Sequence, residues 1–454
     1  MELFGSSGIR GVVNADFGPD DALAVAQAAG TELDADRVAV ARDTRVTGEM
    51  LADAVTSGFA SVGVSADRLG VLPTPGLQAY CEAESVPGLT VTASHNPPQY
   101  NGVKLVAADG VEFPRERLEA VETRLLEDGA ERVAWDGTGT TRTVGDAGER
   151  YVADLLAAVD RRAVADADLT VAIDPGHGAG ALTSPDFFRR LGCGVRTVNA
   201  QPDGHFPGRN PEPVEETLGD LQRFVRATGA DLGVAHDGDA DRAIFVDERG
   251  ELLAGDATFA ALVADALEAG DTVVSAVNAS QRVVDAVEAA GADLSLTPIG
   301  STYIVTRIRG LQADGETVPV AGEGNGGVIF PGYRVARDGA YTAGRFLEIL
   351  ADRDAPASEV VAAHDGYANL RRNLSYDDED ERAAMLAAIE EHAREADADP
   401  TTTDGYRLDY GDAWVLARPS GTEPVVRVYA EARSAERARQ LADEVAAAAR
   451  SAIE

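Results

Sequence analysis

Three aspartates occupy alternate positions of one short segment, Asp237, Asp239 and Asp241. If the segment is an extended loop, this alternation places the three carboxylates on one side of the chain. Carboxylate oxygens that face a common point suit a hard divalent cation, and a set of only three protein ligands suits Mg²⁺. The spacing therefore predicts a magnesium site, with a merely solvated acidic turn as the alternative.

A calcium loop is a second alternative for this segment, because Glu248 is the twelfth residue counted from Asp237. The sixth position of an EF-hand loop needs glycine for its sharp turn, and here that position is Arg242. The sequence on both sides also has the apolar, β-branched character of strands, whereas an EF-hand loop is flanked by helices. We therefore favour Mg²⁺ over Ca²⁺.

The segment T92-A-S-H-N-P places Ser94 and His95 between an apolar run and a proline-enforced turn. It is not a G-x-S-x-G elbow, and neighbouring side chains on an extended chain point apart, so the adjacency of Ser94 and His95 in the sequence does not imply that they are in contact. Ten residues later comes Lys104, the single lysine of a chain with 39 arginines. A desolvated lysine can lose its proton near neutral pH, which an arginine cannot. Lys104 is therefore a candidate for chemistry; an ordinary Asn-Pro turn and a solvated lysine are the alternatives.

Two further loops have the composition of ligand-binding turns. Glu323 and Asn325 stand between glycines, as suits the vicinal hydroxyls of a sugar, although a flexible turn fits equally well. Segments around Arg10 and Arg42 either contribute phosphate contacts or shape the first domain. Near the C-terminus, arginines, hydroxyl groups and free N–H groups around a glycine predict a phosphate cradle, with a plain hairpin turn as the alternative. The cradle residues are Arg418, Ser420, Gly421, Thr422 and Arg427.

The elements that must hold these loops form an internal repeat. Three β-branched apolar runs, near residues 37–43, 169–175 and 271–278, each lead into a small-residue turn and an amphipathic helical pattern. Each helix ends at a glycine and feeds a second strand, which is typical of βαβ units in a mainly parallel sheet. The helices are predicted over 50–59, 185–191 and 281–290.

A third apolar strand in each repeat ends at one of the polar loops, those of Ser94, Asp237 and Glu323. Open α/β sheets bind ligands at the carboxyl ends of their strands, so the three loops should form one composite site. The last ninety residues have a different pattern, which predicts a small α+β domain with helices over 381–394 and 436–453.

The expected fold is therefore α/β, with three related α/β domains that have mixed, mainly parallel sheets, and a C-terminal α+β domain. The boundaries predicted from the sequence are 1–147, 148–247, 248–362 and 363–454.

The charge of the chain restricts its partners. Its 77 acidic and 40 basic residues give a formal net charge of −37, which should repel nucleic acid and anionic membranes. The near absence of lysine in so acidic a chain indicates adaptation to molar salt, where charge repulsion is screened. Cys81 and Cys193 have no metal or disulfide spacing and are expected to be buried free thiols. With no leader or membrane-span pattern in the sequence, we expect a cytoplasmic protein.

Five motifs, taken in order, resemble the α-D-phosphohexomutase family: G5-S-S-G-I-R-G, T92-A-S-H-N-P, D237-G-D-A-D-R, G322-E-G-N-G-G and R418-P-S-G-T-E-P. The motifs resemble those of the archaeal branch of the family, and the acidic, lysine-poor composition indicates a haloarchaeal member. The resemblance implies four domains around a central cleft. It also implies interconversion of hexose 6-phosphate and hexose 1-phosphate, through a phosphoserine enzyme and a sugar bisphosphate intermediate. We favour glucosamine phosphate as substrate, with mannose or glucose phosphate as the alternative. A phosphosugar-binding or Ca²⁺-binding protein without turnover is the contrasting hypothesis.

By the same resemblance, Ser94 carries the phosphate and joins the three aspartates as the fourth ligand of Mg²⁺. The sugar is bound at Glu323 and Asn325 and the phosphate at the cradle, while Ser301 or Thr302 supplies specificity. A sugar bisphosphate acts as activator, and the protein is a monomer or homodimer. The residues expected to line the cleft are Arg10, Arg42, His95, Lys104 and Arg242.

Two departures from the family pattern leave the general base open. Many bacterial members have a histidine where this chain has Gly327, and they tend to have a lysine in the third domain, where 275–281 has none. Both departures make Lys104 and His95 stronger candidates for the general base.

Overall fold

A computed structural model of the chain describes residues 8–420 and 424–453. The chain divides into two compact units. The first comprises the described residues up to Thr258 together with Asn325–Val361, and the second comprises Phe259–Gly324 together with the described residues from Ala362 onward. None of the described helices has the length and apolarity needed to cross a membrane.

The first domain is a six-stranded sheet with strand order β1-β5-β4-β2-β3-β6. The central strands are parallel, whereas β5 runs antiparallel to both of its neighbours, β1 and β4. Helices α1 and α2 pack together over an apolar core that includes Phe59, Leu89 and Val103. Its strands are β1 (Ile9–Val12), β2 (Arg37–Arg42), β3 (Ser65–Val71), β4 (Gly88–Val91), β5 (Tyr100–Val106) and β6 (Thr141–Thr143). Its helices are α1 (Pro19–Glu32), α2 (Gly48–Ser61), α3 (Thr74–Glu84) and α4 (Arg115–Leu126).

The second domain repeats the pattern on a smaller sheet, in the order β10-β9-β7-β8. Strands β7, β8 and β9 are parallel, and β10 turns back antiparallel to β9. Gly192, in the left-handed conformation, ends α7 as predicted for a helix C-cap. The strands are β7 (Thr170–Asp174), β8 (Gly194–Thr197), β9 (Leu232–Ala235) and β10 (Ile244–Val246). The helices are α5 (Ala147–Ala158), α6 (Arg161–Asp166), α7 (Ser184–Leu191) and α8 (Gly219–Thr228), with a 3₁₀ turn at Ala179–Leu182.

The third α/β segment has β11 at its centre, parallel to β12 on one side and β13 on the other. Strands β14 and β15 form an antiparallel pair in the first unit. The strands are β11 (Thr272–Ala276), β12 (Asp293–Thr297), β13 (Ala321–Gly322), β14 (Val328–Phe330) and β15 (Arg334–Arg337). The helices are α9 (Gly255–Ala266), α10 (Gln281–Ala290), α11 (Ser301–Ala313), α12 (Gly339–Arg353) and α13 (Ala357–Ala362).

The C-terminal domain is an antiparallel sheet in the order β16-β20-β19-β18-β17, with two helices that pack together. Its apolar core includes Met385, Val428 and Leu441. The strands are β16 (Ala368–Ser375), β17 (Asp399–Thr401), β18 (Tyr406–Asp409), β19 (Ala413–Pro419) and β20 (Val425–Ala432). The helices are α14 (Glu379–Glu395) and α15 (Ala435–Ser451). The α+β character predicted for this region is confirmed.

Candidate active site

Ser94 lies in a tight turn directly after β4, fully buried in the first unit. Its φ of +49° is in the left-handed region, which a non-glycine residue adopts only when its surroundings hold it there. The hydroxyl donates a 2.7 Å hydrogen bond to Oδ2 of Asp237, which is 143 residues further along the chain. The backbone N–H donates to Oγ1 of Thr92 at 2.9 Å. The first and second repeats therefore meet at this serine.

Arg45 holds the serine turn in place. Its buried guanidinium donates to the carbonyls of Ser94 (2.9 Å), Asn96 (2.7 Å), Pro97 (2.7 Å) and Tyr100 (2.9 Å). An arginine that satisfies four carbonyls in this way makes the loop rigid, because each broken bond would leave a buried polar group unpaired. The segment around Arg42 was expected either to contact phosphate or to shape the first domain. Arg45 belongs to this segment, and its contacts shape the domain.

His95 does contact Ser94, although their adjacency in the sequence did not imply it. Its Nδ1 is 3.4 Å from the serine Oγ. On an extended backbone the two side chains would point apart, but the left-handed conformation of Ser94 turns them toward the same side. Burial, followed by the nearby cations Arg242 and Arg10, lowers the pKa of His95 to about 2. The imidazole next to the serine is therefore neutral.

Asp237, Asp239 and Asp241 converge as the spacing predicted, with ligand oxygens that all lie within 4.8 Å of one another. The backbone, however, is a tight turn and not an extended loop. Ala240 has a φ of +56°, and a side chain at Gly238 would lie 2.6 Å from the carbonyl oxygen of Ser94. The turn, together with this close approach of the two loops, is what brings the carboxylates together.

The chemistry of this triad fits a divalent cation. All three carboxylates are buried, and burial together with the charges of Asp241 and Asp239 raises the pKa of Asp237. Oδ1 of Asp239 and Oδ1 of Asp241 are buried without a hydrogen-bond partner among the described residues. Buried carboxylate oxygens that repel one another and have no donor are what a bound metal ion satisfies.

The EF-hand alternative is not supported by the flanks of the triad, which are the antiparallel strands β9 and β10. Glu248, the residue that would be the twelfth ligand, accepts hydrogen bonds from the hydroxyl (2.5 Å) and N–H (3.2 Å) of Ser358.

Four cationic side chains surround the triad. Lys104, on β5, is buried, with Nζ 3.5 Å from Asp241 and 3.4 Å from Glu112. Arg337, at the end of β15, makes a 2.6 Å ion pair with Asp241. The other two cations are Arg10, which donates to the carbonyl of Ala93, and Arg242, 3.8 Å from Asp237.

Three donors of this set have no hydrogen-bond partner among the described residues, namely Nε of Arg10, Nζ of Lys104 and Nε of Arg242. Buried donors without a partner are expected to be satisfied by a ligand, and donors of positive charge suit an anion. The four cations thus offset the negative charge of the carboxylates at this site.

One predicted cleft residue, Arg42, has another neighbour. It forms an ion pair with Glu49 at 2.7 Å, on the N-terminal turn of α2.

The loop after β13 is divided between the units. Asn325 lies in the first unit, where its Oδ1 accepts from the N–H of Gly327 at 3.0 Å. The next residue, Gly326, has its carbonyl bonded to the N–H of Ala243 at 3.0 Å, directly after the aspartate turn. Asn325 is therefore brought to the site, while Glu323 is a buried residue of the second unit.

The remaining predicted residues also lie in the second unit. Ser301 and Thr302 are buried in the first turn of α11. Arg418 and Arg427 face each other across β19 and β20, and the N–H of Ser420 donates to the carbonyl of Val425. Two predicted cradle residues lie outside the described residues, Gly421 and Thr422.

Asp404 joins two of these predicted groups within the second unit. It makes a 2.9 Å ion pair with Arg418 and accepts a hydrogen bond from the N–H of Ile299 at 3.1 Å. The arginine of the predicted phosphate cradle is thereby connected to the loop that precedes Ser301.

Sequence profiles of one family match most of the chain, domain by domain. Residues 1–132, 149–250 and 254–367 match the alpha/beta/alpha domains I, II and III of phosphoglucomutase/phosphomannomutase, and residues 373–448 match its C-terminal domain. The chain belongs to the phosphoglucomutase/phosphomannomutase family. It is therefore a mutase, an enzyme of the isomerase class, with the four-domain α/β architecture predicted from its motifs.

Relatives of this mutase carry two kinds of name. A "Phosphoglucomutase/phosphomannomutase" of Thermococcus kodakarensis is 40% identical over 448 residues, which are 97% of this chain and 96% of that one. A "Probable phosphoglucosamine mutase" of Methanopyrus kandleri is 39% identical over 446 residues, 98% and 96% of the two chains. The crystal structure of a phosphoglucomutase/phosphomannomutase family protein from Burkholderia thailandensis is 26% identical and covers 99% of this chain and 97% of its own, with a TM-score of 0.86.

Sequence reasoning missed two residues of this mutase that hold the site, Arg337 and Thr74, and it did not single out a third, Arg45. Thr74 hydrogen bonds to Asp239, Arg337 pairs with Asp241, and Arg45 binds the serine turn. The only signal for Arg45 was its place in an arginine-bearing segment after a strand. Thr74 and Arg337 lie far in sequence from their partners and in no recognised motif.

Proposed function

We propose that this mutase interconverts a hexose 6-phosphate and the hexose 1-phosphate, and that glucosamine phosphate is its preferred substrate. The observation that carries the proposal is the buried Ser94 hydroxyl bonded to Asp237, with unpartnered donors of three cations around it. Relatives named probable phosphoglucosamine mutase support the choice of glucosamine. The relative named phosphoglucomutase/phosphomannomutase supports mannose or glucose phosphate as the alternative.

In this proposal Ser94 carries a phosphoryl group. Its Oγ–P bond breaks while the free hydroxyl of the sugar phosphate forms a new O–P bond, and the proton of that hydroxyl ends on Ser94 Oγ, which yields a sugar bisphosphate and the free serine hydroxyl. The bisphosphate then reverses its orientation. The O–P bond of its other phosphoryl group breaks as Ser94 Oγ bonds to that phosphorus, and the serine proton ends on the sugar oxygen that is released. Such a transition state spreads charge over the phosphoryl oxygens, so positioning and cations supply most of the catalysis.

Asp237, Asp239 and Asp241, with Ser94 as the fourth member of the set, are the residues we propose to hold Mg²⁺. When bound, the ion supplies Lewis-acid stabilisation of the phosphoryl oxygens. Lys104, Arg10 and Arg242 add donors for the same oxygens, and their unpartnered N–H groups support this role. We assign Lys104 to charge stabilisation rather than to proton transfer, because three carboxylates face its Nζ within 3.9 Å. His95 orients the serine hydroxyl.

The other predicted residues complete the proposal. Glu323 and Asn325 bind the hydroxyls of the sugar, Ser301 or Thr302 discriminates between sugars, and Arg42 attracts the substrate phosphate. The phosphate that is not transferred is bound by Arg418, Ser420, Gly421, Thr422 and Arg427. We further propose a sugar bisphosphate as activator and domain boundaries at 1–147, 148–247, 248–362 and 363–454. A cytoplasmic, salt-adapted monomer or homodimer without a nucleic-acid partner stays a prediction.

The experiment that tests the proposal compares Ser94→Ala with the matched control Ser57→Ala, whose hydroxyl bonds only to the carbonyl of Asp53 on an exposed helix face. Intact-protein mass spectrometry after incubation with a sugar bisphosphate should show one added phosphoryl group on the wild type and on the control. Ser94→Ala should show none and should not turn over. An unphosphorylated wild type, or turnover by Ser94→Ala, would contradict the proposal.

A further inference from the structure

Asp239 is held by a residue outside the motif loops. Thr74 is the first residue of α3, and its hydroxyl donates to Oδ2 of Asp239 at 2.7 Å, while its backbone N–H donates to the Asp239 carbonyl at 3.0 Å. Both residues are 1% exposed, so water does not compete for these bonds. Pro73 and Pro75 flank the threonine and restrict the backbone that presents its hydroxyl.

The same hydrogen bond determines which carboxylate oxygen of Asp239 remains available to a ligand. Oδ2 is occupied by Thr74, whereas Oδ1 is buried and has no hydrogen-bond partner among the described residues. A buried carboxylate oxygen in that state costs free energy unless a ligand satisfies it. The hydroxyl of Thr74 therefore fixes the rotation of the carboxylate with Oδ1 left for a cation.

The two side chains belong to different domains. Thr74 is on a helix of the first domain, which also carries Ser94, whereas Asp239 is in the aspartate turn of the second. The contact thus adds a further link between these domains, besides the bond from Ser94 to Asp237 and the ion pair of Lys104 with Asp241. It sets the position of one predicted metal ligand relative to the serine that we propose to be phosphorylated.

We propose that Thr74 is a positioning residue of the metal site, which acts through Asp239 and does not itself touch the metal or the substrate. This inference rests on the metal site of the proposed function. Partners that orient metal ligands typically contribute about 10- to 100-fold to metal affinity. The same order of loss is expected when the Thr74 hydroxyl is removed.

The test compares Thr74→Val, which keeps the shape and removes the hydroxyl, with Thr74→Ser, which keeps the hydroxyl. Thr56→Val is the control, because Thr56 is a buried threonine that bonds only to the carbonyl of Ala52 within α2. Mg²⁺ affinity is measured by titration calorimetry, and the coordination of Mn²⁺ by electron paramagnetic resonance. Thermal unfolding of the metal-free proteins reports whether each variant is folded; Thr74→Ala replaces Thr74→Val if the valine is not accommodated.

We expect Thr74→Val to weaken Mg²⁺ binding about 10- to 100-fold and to alter the Mn²⁺ spectrum. Thr74→Ser and Thr56→Val should bind as the wild type does. Unchanged Mg²⁺ affinity in Thr74→Val would overturn the inference while the metal site stands. Equal losses in Thr74→Val and Thr74→Ser would also overturn it, because the hydroxyl would then not be the cause. A wild type that binds no Mg²⁺ would overturn the proposed metal site and the inference together.

Discussion

Ser94 of the first domain and Asp237 of the second share one hydrogen bond, from the serine hydroxyl to Oδ2 of the aspartate at 2.7 Å. The bond joins the two loops that the sequence singles out for phosphoryl and metal chemistry. It places the hydroxyl beside the carboxylate triad, and Nδ1 of the neutral His95 lies 3.4 Å from the same hydroxyl. The donor and acceptor are both buried, so their geometry is fixed by the fold and not by solvent.

Replacement of Lys104 tests the role of the one buried lysine. Lys104→Met keeps much of the apolar stem but removes the cation, and we expect kcat to fall about 10²- to 10³-fold, as for loss of one transition-state donor. Lys104→Arg should not restore activity, because the buried space around Nζ is bounded by Glu112, Asp239 and Asp241. The control is Arg196→Met, which removes an exposed cation. Activity of Lys104→Met close to that of the wild type would refute this role.

Gly327 leaves the space that Arg337 occupies. A Cβ at this position would lie 2.7 Å from Cδ of Arg337, whose guanidinium pairs with Asp241. We expect Gly327→Ala to displace the arginine and lower kcat about ten- to hundredfold, because small misplacements at a reacting centre are costly. Gly332→Ala is the control, since nothing lies within 4 Å of its added Cβ.

A double-mutant cycle makes the Gly327 prediction sharper. If the alanine acts through Arg337, then Gly327→Ala combined with Arg337→Gln should be no worse than Arg337→Gln alone. Losses that simply multiply in the double variant would show that the alanine acts by another route.

The environment of Asp67 predicts that the stability of the folded protein depends on pH. It is buried in β3 and accepts hydrogen bonds from Arg142 (2.6 Å) and Tyr80 (2.9 Å). Burial raises the pKa of this carboxyl, but the hydrogen bonds from Arg142 and Tyr80 and the charges of Arg37 and Arg142 together outweigh burial and hold the pKa below its ordinary 3.8. A lowered pKa in the folded state means stabilisation that is complete above 3.8 and is lost as the pH falls through the folded value.

We therefore expect Asp67→Asn to lower the urea midpoint of unfolding at pH 7, and the difference from the wild type to shrink below pH 3.8. Asp53→Asn, which removes an exposed partner of Arg68, should change the midpoint little at either pH. A midpoint difference for Asp67→Asn that is the same at pH 7 and at pH values below 3.8 would contradict this assignment.

The repeat was predictable from the sequence because its strands and helices follow local patterns. The helix predicted over 281–290 is α10, and the glycine after it, Gly291, is a left-handed C-cap. Strand β5 was missed, since its pairing is antiparallel in a repeat expected to be mainly parallel, and it carries Lys104. Patterns of period two or 3.6 report burial of one face, and they do not report which distant strand is the neighbour.

Within the site, the triad of aspartates and the serine were found because their spacing is local. The partners of these residues were not, since Thr74, Arg337 and Arg45 reach them only across the tertiary structure. The contact between Ser94 and His95 was missed for a related reason. The left-handed φ of Ser94 is imposed by its surroundings, among them Thr92 and Arg45. A serine in the sequence gives no signal of such a conformation.

The most direct test of the central claim is ³¹P NMR of the enzyme with Mg²⁺, a trace of sugar bisphosphate and one sugar phosphate at a time. Glucosamine 6-phosphate, mannose 6-phosphate and glucose 6-phosphate are offered in turn. We predict a new 1-phosphate resonance, which grows fastest from glucosamine 6-phosphate and does not appear with Ser94→Ala. No 1-phosphate from any of the three sugars, with Ser94 shown to be phosphorylated, or stoichiometric release of inorganic phosphate, would contradict the claim that this enzyme is a phosphohexose mutase acting through Ser94.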